Sequence, residues 1–133
     1  MNIALLAHDD KKELMIQFCI AYRGILAGHA LCSTGNTGAL IAEATGLRPK
    51  TYLNRAQGGI QQIGARIACN EIDLVIFLCD ASGRETCDDA NETARLCDRS
   101  RVPFASNIAT AEVLIRGLNR GDPERRETIT PKN

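Results

Sequence analysis

The 133-residue chain has no tryptophan, only two tyrosines and three phenylalanines, and just four prolines. So few aromatic faces leave little on which the bases of single-stranded nucleic acid could stack. An excess of charge of either sign is also missing, because 16 Lys and Arg offset 16 Asp and Glu. Domains that hold nucleic acid by its phosphates normally carry a basic surplus, and polybasic membrane-surface proteins need one too. Neither nucleic acid nor a membrane is therefore expected as a partner. No apolar run approaches the roughly 20 residues that span a bilayer. Against these absences stands a 44% share of hydrophobic residues, enough for one domain that buries about two thirds of its chain's surface. With no linker, repeat or low-complexity run to divide it, the chain is expected to form one domain over residues 1–133.

Six cysteines are an even number, which raises a disulfide framework as a possibility. Their placement argues against it. Several sit in apolar runs, as in Ile76-Phe77-Leu78-Cys79, where a reduced thiol behaves as a small hydrophobe. No CxxC pair occurs, so the usual zinc and thioredoxin spacings are missing. The chain begins with a strand-like Asn2-Ile3-Ala4-Leu5-Leu6 rather than a signal peptide. A reduced, cytoplasmic protein is the expectation, with no metal and no cofactor.

Short apolar runs at Asn2 to Ala7, Ala30 to Ser33, Asp73 to Cys79 and Val102 to Ala105 have the length of strands buried on both faces. Between them, Lys11 to Tyr22, Ala39 to Ala44, Gly58 to Cys69, Asp88 to Arg99 and Ile108 to Leu118 read as helices. A last strand is expected at Glu127 to Thr130. Strand alternating with helix predicts an α/β fold: a doubly wound, five-stranded, mainly parallel sheet with helices on both faces.

In such a sheet the ligand site lies beyond the C-terminal ends of the strands. Polar residues gather there. Ser33-Thr34-Gly35-Asn36-Thr37-Gly38 runs into a helix, and its glycines, hydroxyls and backbone N–H groups can cradle a phosphate with the helix dipole behind them. Equally, it can be a plain strand-to-helix turn with Thr37 as N-cap. It is not a Walker A loop, since GxxxxGK[ST] is absent. His8, Asp9 and Lys12 form a second cluster, in which Lys12 lies one helical turn beyond Asp9 and can return toward the strand end. Asp9 as a bare N-cap is the alternative. Asp80, after the central strand, is placed for acid–base work or for holding loop amides. Cys87 has no activating histidine near it in sequence and reads as an inert thiol. His29 reads as a surface residue.

Taken together, these blocks resemble methylglyoxal synthase. The likeness covers nearly the whole chain: Ile3 to Asp9 with Lys12, Ser33 to Gly38, Gly58-Gly59-Ile60-Gln61-Gln62-Ile63-Gly64-Ala65, Asp73 to Phe77 with Asp80, and Pro103 to Ala111. The resemblance implies a five-stranded parallel sheet, a lyase acting on dihydroxyacetone phosphate without a cofactor, and a homo-oligomer, a hexamer in the family. It further implies phosphate binding by Lys12, Thr34 and Thr37, with amides from Gly35, Asn36 and Gly38. His8 would donate to the carbonyl or enediolate oxygen. Asp9 and Asp80 match two acidic positions of the site. Asn54, Arg55 and Gly58 fall where the family closes the phosphate pocket.

The family's general-base aspartate, directly after the glycine pair, is Ile60 here. Its second histidine aligns with Cys87, and a nearby aspartate with Asp89 or Ala90. Where the family has Ser-Gly-Pro, this chain has Asn54-Arg55-Ala56. An isoleucine cannot accept a proton, and a general base is worth about 10²- to 10⁴-fold. Asp80 is the expected substitute, then Asp9, and Arg55 is expected to favour a larger or differently placed anion. Three readings follow. The chain is a lyase of this kind working on dihydroxyacetone phosphate or a related phosphorylated ketone, a non-catalytic module of the same fold that binds a phosphometabolite, or a structural subunit.

Overall fold

The computed structural model describes residues 1–80 and 87–119. Its elements run β1 (Asn2–Ala7), a 3-10 turn (Asp9–Lys11), α1 (Lys12–Ala21), α2 (Arg23–Leu26), β2 (Ala30–Thr34), α3 (Gly35–Thr45) and β3 (Lys50–Tyr52). A second 3-10 turn (Arg55–Gln57), α4 (Gly59–Ala68), β4 (Leu74–Leu78), α5 (Asp88–Ser100), β5 (Phe104–Ala105) and α6 (Ile108–Asn119) complete them. The five strands form one sheet in the order β3-β2-β1-β4-β5, and every pairing is parallel. The expected doubly wound α/β architecture is thus present, wholly rather than mainly parallel.

Alternation along β1 builds two cores. Ile3, Leu5 and Ala7 face α1, α3 and α6, meeting Met15, Phe18, Ile41, Ala111 and Ile115. Ala4 and Leu6 face the other way, onto Ile60, Ile63 and Ile67 of α4 and Ala90 and Cys97 of α5. All five residues of β4 are buried, which is why this strand reads as an unbroken apolar run.

One strand of the sheet was not expected from the sequence. Glu127 to Thr130 lies outside the described residues, and the fifth strand found is β3, a three-residue Lys-Thr-Tyr segment at the sheet edge with two exposed positions. An edge strand so short and polar carries no apolar signal. Two helix boundaries also shift. The helix expected from Lys11 is preceded by the 3-10 turn at Asp9–Lys11, and α3 begins at Gly35, four residues earlier than its apolar pattern suggests. The residues read as a loop ahead of α3 are therefore its first turn, and Thr37 lies inside the helix rather than capping it.

Candidate functional site

Strand order reverses direction between β1 and β4, so the crevice beyond their C-terminal ends is the place where a doubly wound sheet holds ligands. His8 follows β1 there. Its backbone N–H donates to the Leu78 carbonyl at 3.0 Å, and its ring stands edge-on to Phe77 with centroids 5.3 Å apart. These contacts sink the imidazole until only 2% of the residue is exposed. Its Nε2 lies 2.9 Å from Asp89 Oδ1, in the first turn of α5. That oxygen also accepts the Ala90 N–H at 2.8 Å, while Oδ2 faces Arg55 Nε at 3.6 Å.

Asp89 thus joins three elements, and it is the site residue that sequence reasoning came nearest to missing. Only an alignment undecided between Asp89 and Ala90 pointed to it. The geometry decides for Asp89, because Ala90 packs in the core with Ile60. Arg55, expected to favour a larger or differently placed anion, directs its Nε at the Asp89 carboxylate.

The segment expected to cradle a phosphate is the first turn of α3. A helix leaves its first N–H groups without intrahelical partners, and here Asn54 Oδ1 accepts that of Asn36 at 2.9 Å. The Asn54 carbonyl meanwhile accepts from Gln57 and Gly59 N–H groups at 2.9 and 3.1 Å. Asn54 therefore stitches the turn before α4 to the start of α3. Gly35 makes this approach possible, since a Cβ there would stand 2.6 Å from Asn54 Oδ1. Gly58 has φ +100 and caps α4, and a Cβ on Gly59 would overlap the Leu53 carbonyl. The Gly-Gly pair is thus demanded by the close approach of β3 and α4.

Thr34 and Thr37 are both buried. Thr34 is the N-cap of α3 without a side-chain cap bond. Thr37 is 1% exposed, and its Oγ1 has no hydrogen-bond partner among the described residues. A buried hydroxyl in that state costs about 1–3 kcal/mol unless something supplies a partner. Lys12 Nζ lies 2.9 Å from Asp9 Oδ1, as the one-turn spacing predicts, with Asp9 itself 70% exposed. Asp80 follows β4 and is half-buried.

Ile60 is 6% exposed. It lines a groove of about 260 Å³ between α4 and α5, together with Gly64, Ala65, Leu96, Asp89 and Glu92. The position that holds the base in the resembled family is here an apolar wall beside Asp89. Among the described residues no group of three or more His, Cys, Asp or Glu is arranged to hold a metal, and no helix is long and apolar enough to cross a membrane.

A family model described as an MGS-like domain matches residues 15–106. Methylglyoxal synthase of Caldicellulosiruptor saccharolyticus is 56% identical over 99% of this chain and 94% of its own length. The chain belongs to the methylglyoxal synthase family. Methylglyoxal synthase of Alkaliphilus metalliredigens is 50% identical over 97% of each chain. Among solved structures, a crystal structure of methylglyoxal synthase from Elizabethkingia anophelis superposes with a TM-score of 0.80 at 37% identity, covering 86% of this chain and 76% of that one. Membership in the methylglyoxal synthase family accounts for the fold.

Proposed function

We propose that the protein is a lyase of the methylglyoxal synthase kind that eliminates phosphate from dihydroxyacetone phosphate or a related small phosphorylated ketone. The buried Thr37 hydroxyl carries the reading: it sits in the first turn of α3 with no partner among the described residues, beside the crevice that holds His8. A phosphate there would receive that hydroxyl, first-turn amides of α3 and the Lys12 ammonium. Thr34, Asn36, Gly35 and Gly38 shape the pocket, and Asn54 and Gly58 close it, with Arg55 holding Asp89.

The chemistry begins when a carboxylate takes a proton from the carbon beside the carbonyl. The electron pair then forms an enediolate, and its collapse breaks the carbon–oxygen bond to phosphate. With Ile60 unable to act, Asp80 is the proposed proton acceptor and Asp9, exposed and paired with Lys12, the weaker candidate. Asp89 Oδ1 occupies the Nε2 side of the His8 ring. A substrate oxygen that replaces Asp89 Oδ1 at Nε2 would receive the same N–H, and Arg55 would keep the displaced carboxylate in place. The N–H then faces charge as it develops on the enediolate.

Phosphate release from dihydroxyacetone phosphate by Asp80→Asn is the test. A fall of about 10²-fold or more in kcat is expected of a lost general base. Undiminished turnover would refute Asp80 as the base. Ile60 favours a second reading, a non-catalytic module that binds a phosphometabolite. That reading would show as thermal stabilisation by phosphate without turnover in the wild-type chain. Self-association into a hexamer and a cytoplasmic location belong to the same proposal and rest on the resemblance alone.

A further inference from the structure

The groove beside Ile60 takes no part in the elimination as proposed for dihydroxyacetone phosphate. Ile60 stands in the first turn of α4 and Asp89 in the first turn of α5, and both line it. The same two helix starts adjoin the crevice. A Cβ on Gly59 would come within 3.1 Å of Thr34 Cγ2, and Asp89 Oδ1 is 2.9 Å from His8 Nε2. Across the sheet in the order β2-β1-β4, the proposed phosphate cradle follows β2, His8 follows β1, and Asp80 and α5 follow β4. A substrate held by its phosphate at α3 and by its carbonyl at His8 therefore directs its far carbon toward α5 and the groove.

The walls decide what that carbon can carry. Ile60, Ala65 and Leu96 present aliphatic surface. The charges at the rim already have partners: Asp89 meets His8, the Ala90 N–H and Arg55, and the exposed Glu92 faces Arg95 at 3.5 Å. The buried Thr93 hydroxyl donates to the Asp89 carbonyl at 2.8 Å. A cationic or hydroxylated chain would give up its water for no comparable partner, whereas an alkyl chain gains by leaving water. At about 260 Å³ the groove is smaller than the roughly 300 Å³ at which pockets begin to enclose a drug-sized ligand. It suits a substituent of a few carbons rather than a second molecule.

We propose that the groove binds an alkyl group on the substrate carbon that loses its proton. The preferred substrate is then a ketone with a phosphoryloxymethyl group on one side of the carbonyl and an alkylated carbinol, R–CHOH, on the other. Ile60 is its specificity-determining wall. Dihydroxyacetone phosphate is the member of this class in which R is hydrogen, so the inference rests on the lyase reading and names its substrate class.

The bonds that change are those of the parent reaction. The base takes the proton from the carbon that bears R, and the electron pair forms the enediolate. As the hydroxyl on that carbon loses its proton and becomes a carbonyl, the carbon–oxygen bond to phosphate breaks. Of the two protons released, one returns to the former methylene carbon, making it a methyl group, and the other goes to the departing phosphate. One methyl alkyl diketone with adjacent carbonyls and one phosphate form, with no oxidant or reductant.

The experiment measures phosphate release from dihydroxyacetone phosphate, from its methyl and ethyl homologues, and from the homologue with hydroxymethyl in place of ethyl. Each added alkyl carbon is expected to raise kcat/KM about fourfold, the worth of one buried methylene, and the hydroxymethyl compound to fall below its ethyl counterpart of the same size. Ala65→Leu, at an exposed position of α4, fills the groove and should flatten the series. A flat series in the wild type, a hydroxymethyl compound equal to the ethyl one, or a gradient that survives Ala65→Leu would overturn the groove as the alkyl site. Turnover of dihydroxyacetone phosphate with a flat series leaves the lyase reading standing and refutes this inference alone. If no member of the series releases phosphate, the lyase reading fails, and calorimetric affinities of the same unreacted compounds decide the groove: the same fourfold gradient supports it and equal affinities overturn it.

Discussion

His8 Nε2 and Asp89 Oδ1 meet at 2.9 Å across 81 residues of sequence, joining the segment after β1 to the first turn of α5. A carboxylate on one ring nitrogen fixes the orientation and tautomer of an imidazole. Arg55, reaching Asp89 from the turn before α4, holds the carboxylate from its other side. The site is therefore organised around Asp89 rather than around the position occupied by Ile60.

Replacing Asp89 with Asn keeps an acceptor for the Ala90 amide but removes the charge facing His8 and Arg55. Because Asp89 orients the imidazole only until a substrate oxygen takes its place, turnover of dihydroxyacetone phosphate is expected to fall about tenfold, the worth of one hydrogen bond to a charged group, with KM changed much less. Steady-state phosphate release checks this. An unchanged kcat would detach Asp89 from the reaction.

Thr37→Ala deletes a hydroxyl that has no hydrogen-bond partner among the described residues. Thermal stability should hold or rise slightly. Affinity for inorganic phosphate should weaken by about 1.5 kcal/mol, roughly tenfold, the worth of one hydrogen bond to a charged group. Adding Lys12→Ala should abolish binding measured by titration calorimetry. Full affinity in the double variant would remove the cradle from the account.

Ile60 packs in the core shared by α4 and α5, so Ile60→Ala is expected to cost about 2 kcal/mol, the low end for a residue on a groove wall that can partly collapse. Ile60→Asp should be at least as destabilising, since it places a third carboxylate beside Asp89 and Glu92. Its turnover should nevertheless rise. Paired denaturation and kinetic measurements separate the two effects, and a variant that folds but gains no activity would show that more than a base is missing.

Alkaline pH acts on the buried thiols. Burial pushes the Cys19 thiol from 9.0 up to about 12. A raised folded-state value means that the stability is fully present below the unfolded value and is lost as pH rises from about 9 through about 12. Denaturant midpoints should hold to about pH 9 and then fall, with Cys19 contributing at most about 1.4 kcal/mol per pH unit. Cys19→Ala should shallow that slope, whatever it costs at neutral pH. An equal slope in both proteins would contradict the assignment.

The buried strands were legible because β1 and β4 write their burial as apolar runs, and α4 writes its core face in Ile60, Ile63 and Ile67. β3 was not, because three edge residues with polar side chains carry no period. The segment proposed as the phosphate cradle was legible as a glycine-rich strand-to-helix junction, although its residues form the first helical turn. Asp89 was hardly legible at all. Its role depends on a contact 81 residues away, and one of three successive acidic or small positions, Asp88, Asp89 and Ala90, cannot be singled out by spacing. Arg55 was visible as a charge, but its partner exists only in the fold.

The most direct test incubates the wild-type chain with dihydroxyacetone phosphate and measures methylglyoxal and phosphate together against an enzyme-free blank. Both products are expected in equal amounts, at a rate that saturates with substrate and disappears in the Lys12→Ala, Thr37→Ala variant. Thermal stabilisation by phosphate with no methylglyoxal above the blank would contradict the proposed function, and would leave a phosphate-binding module in place of a lyase.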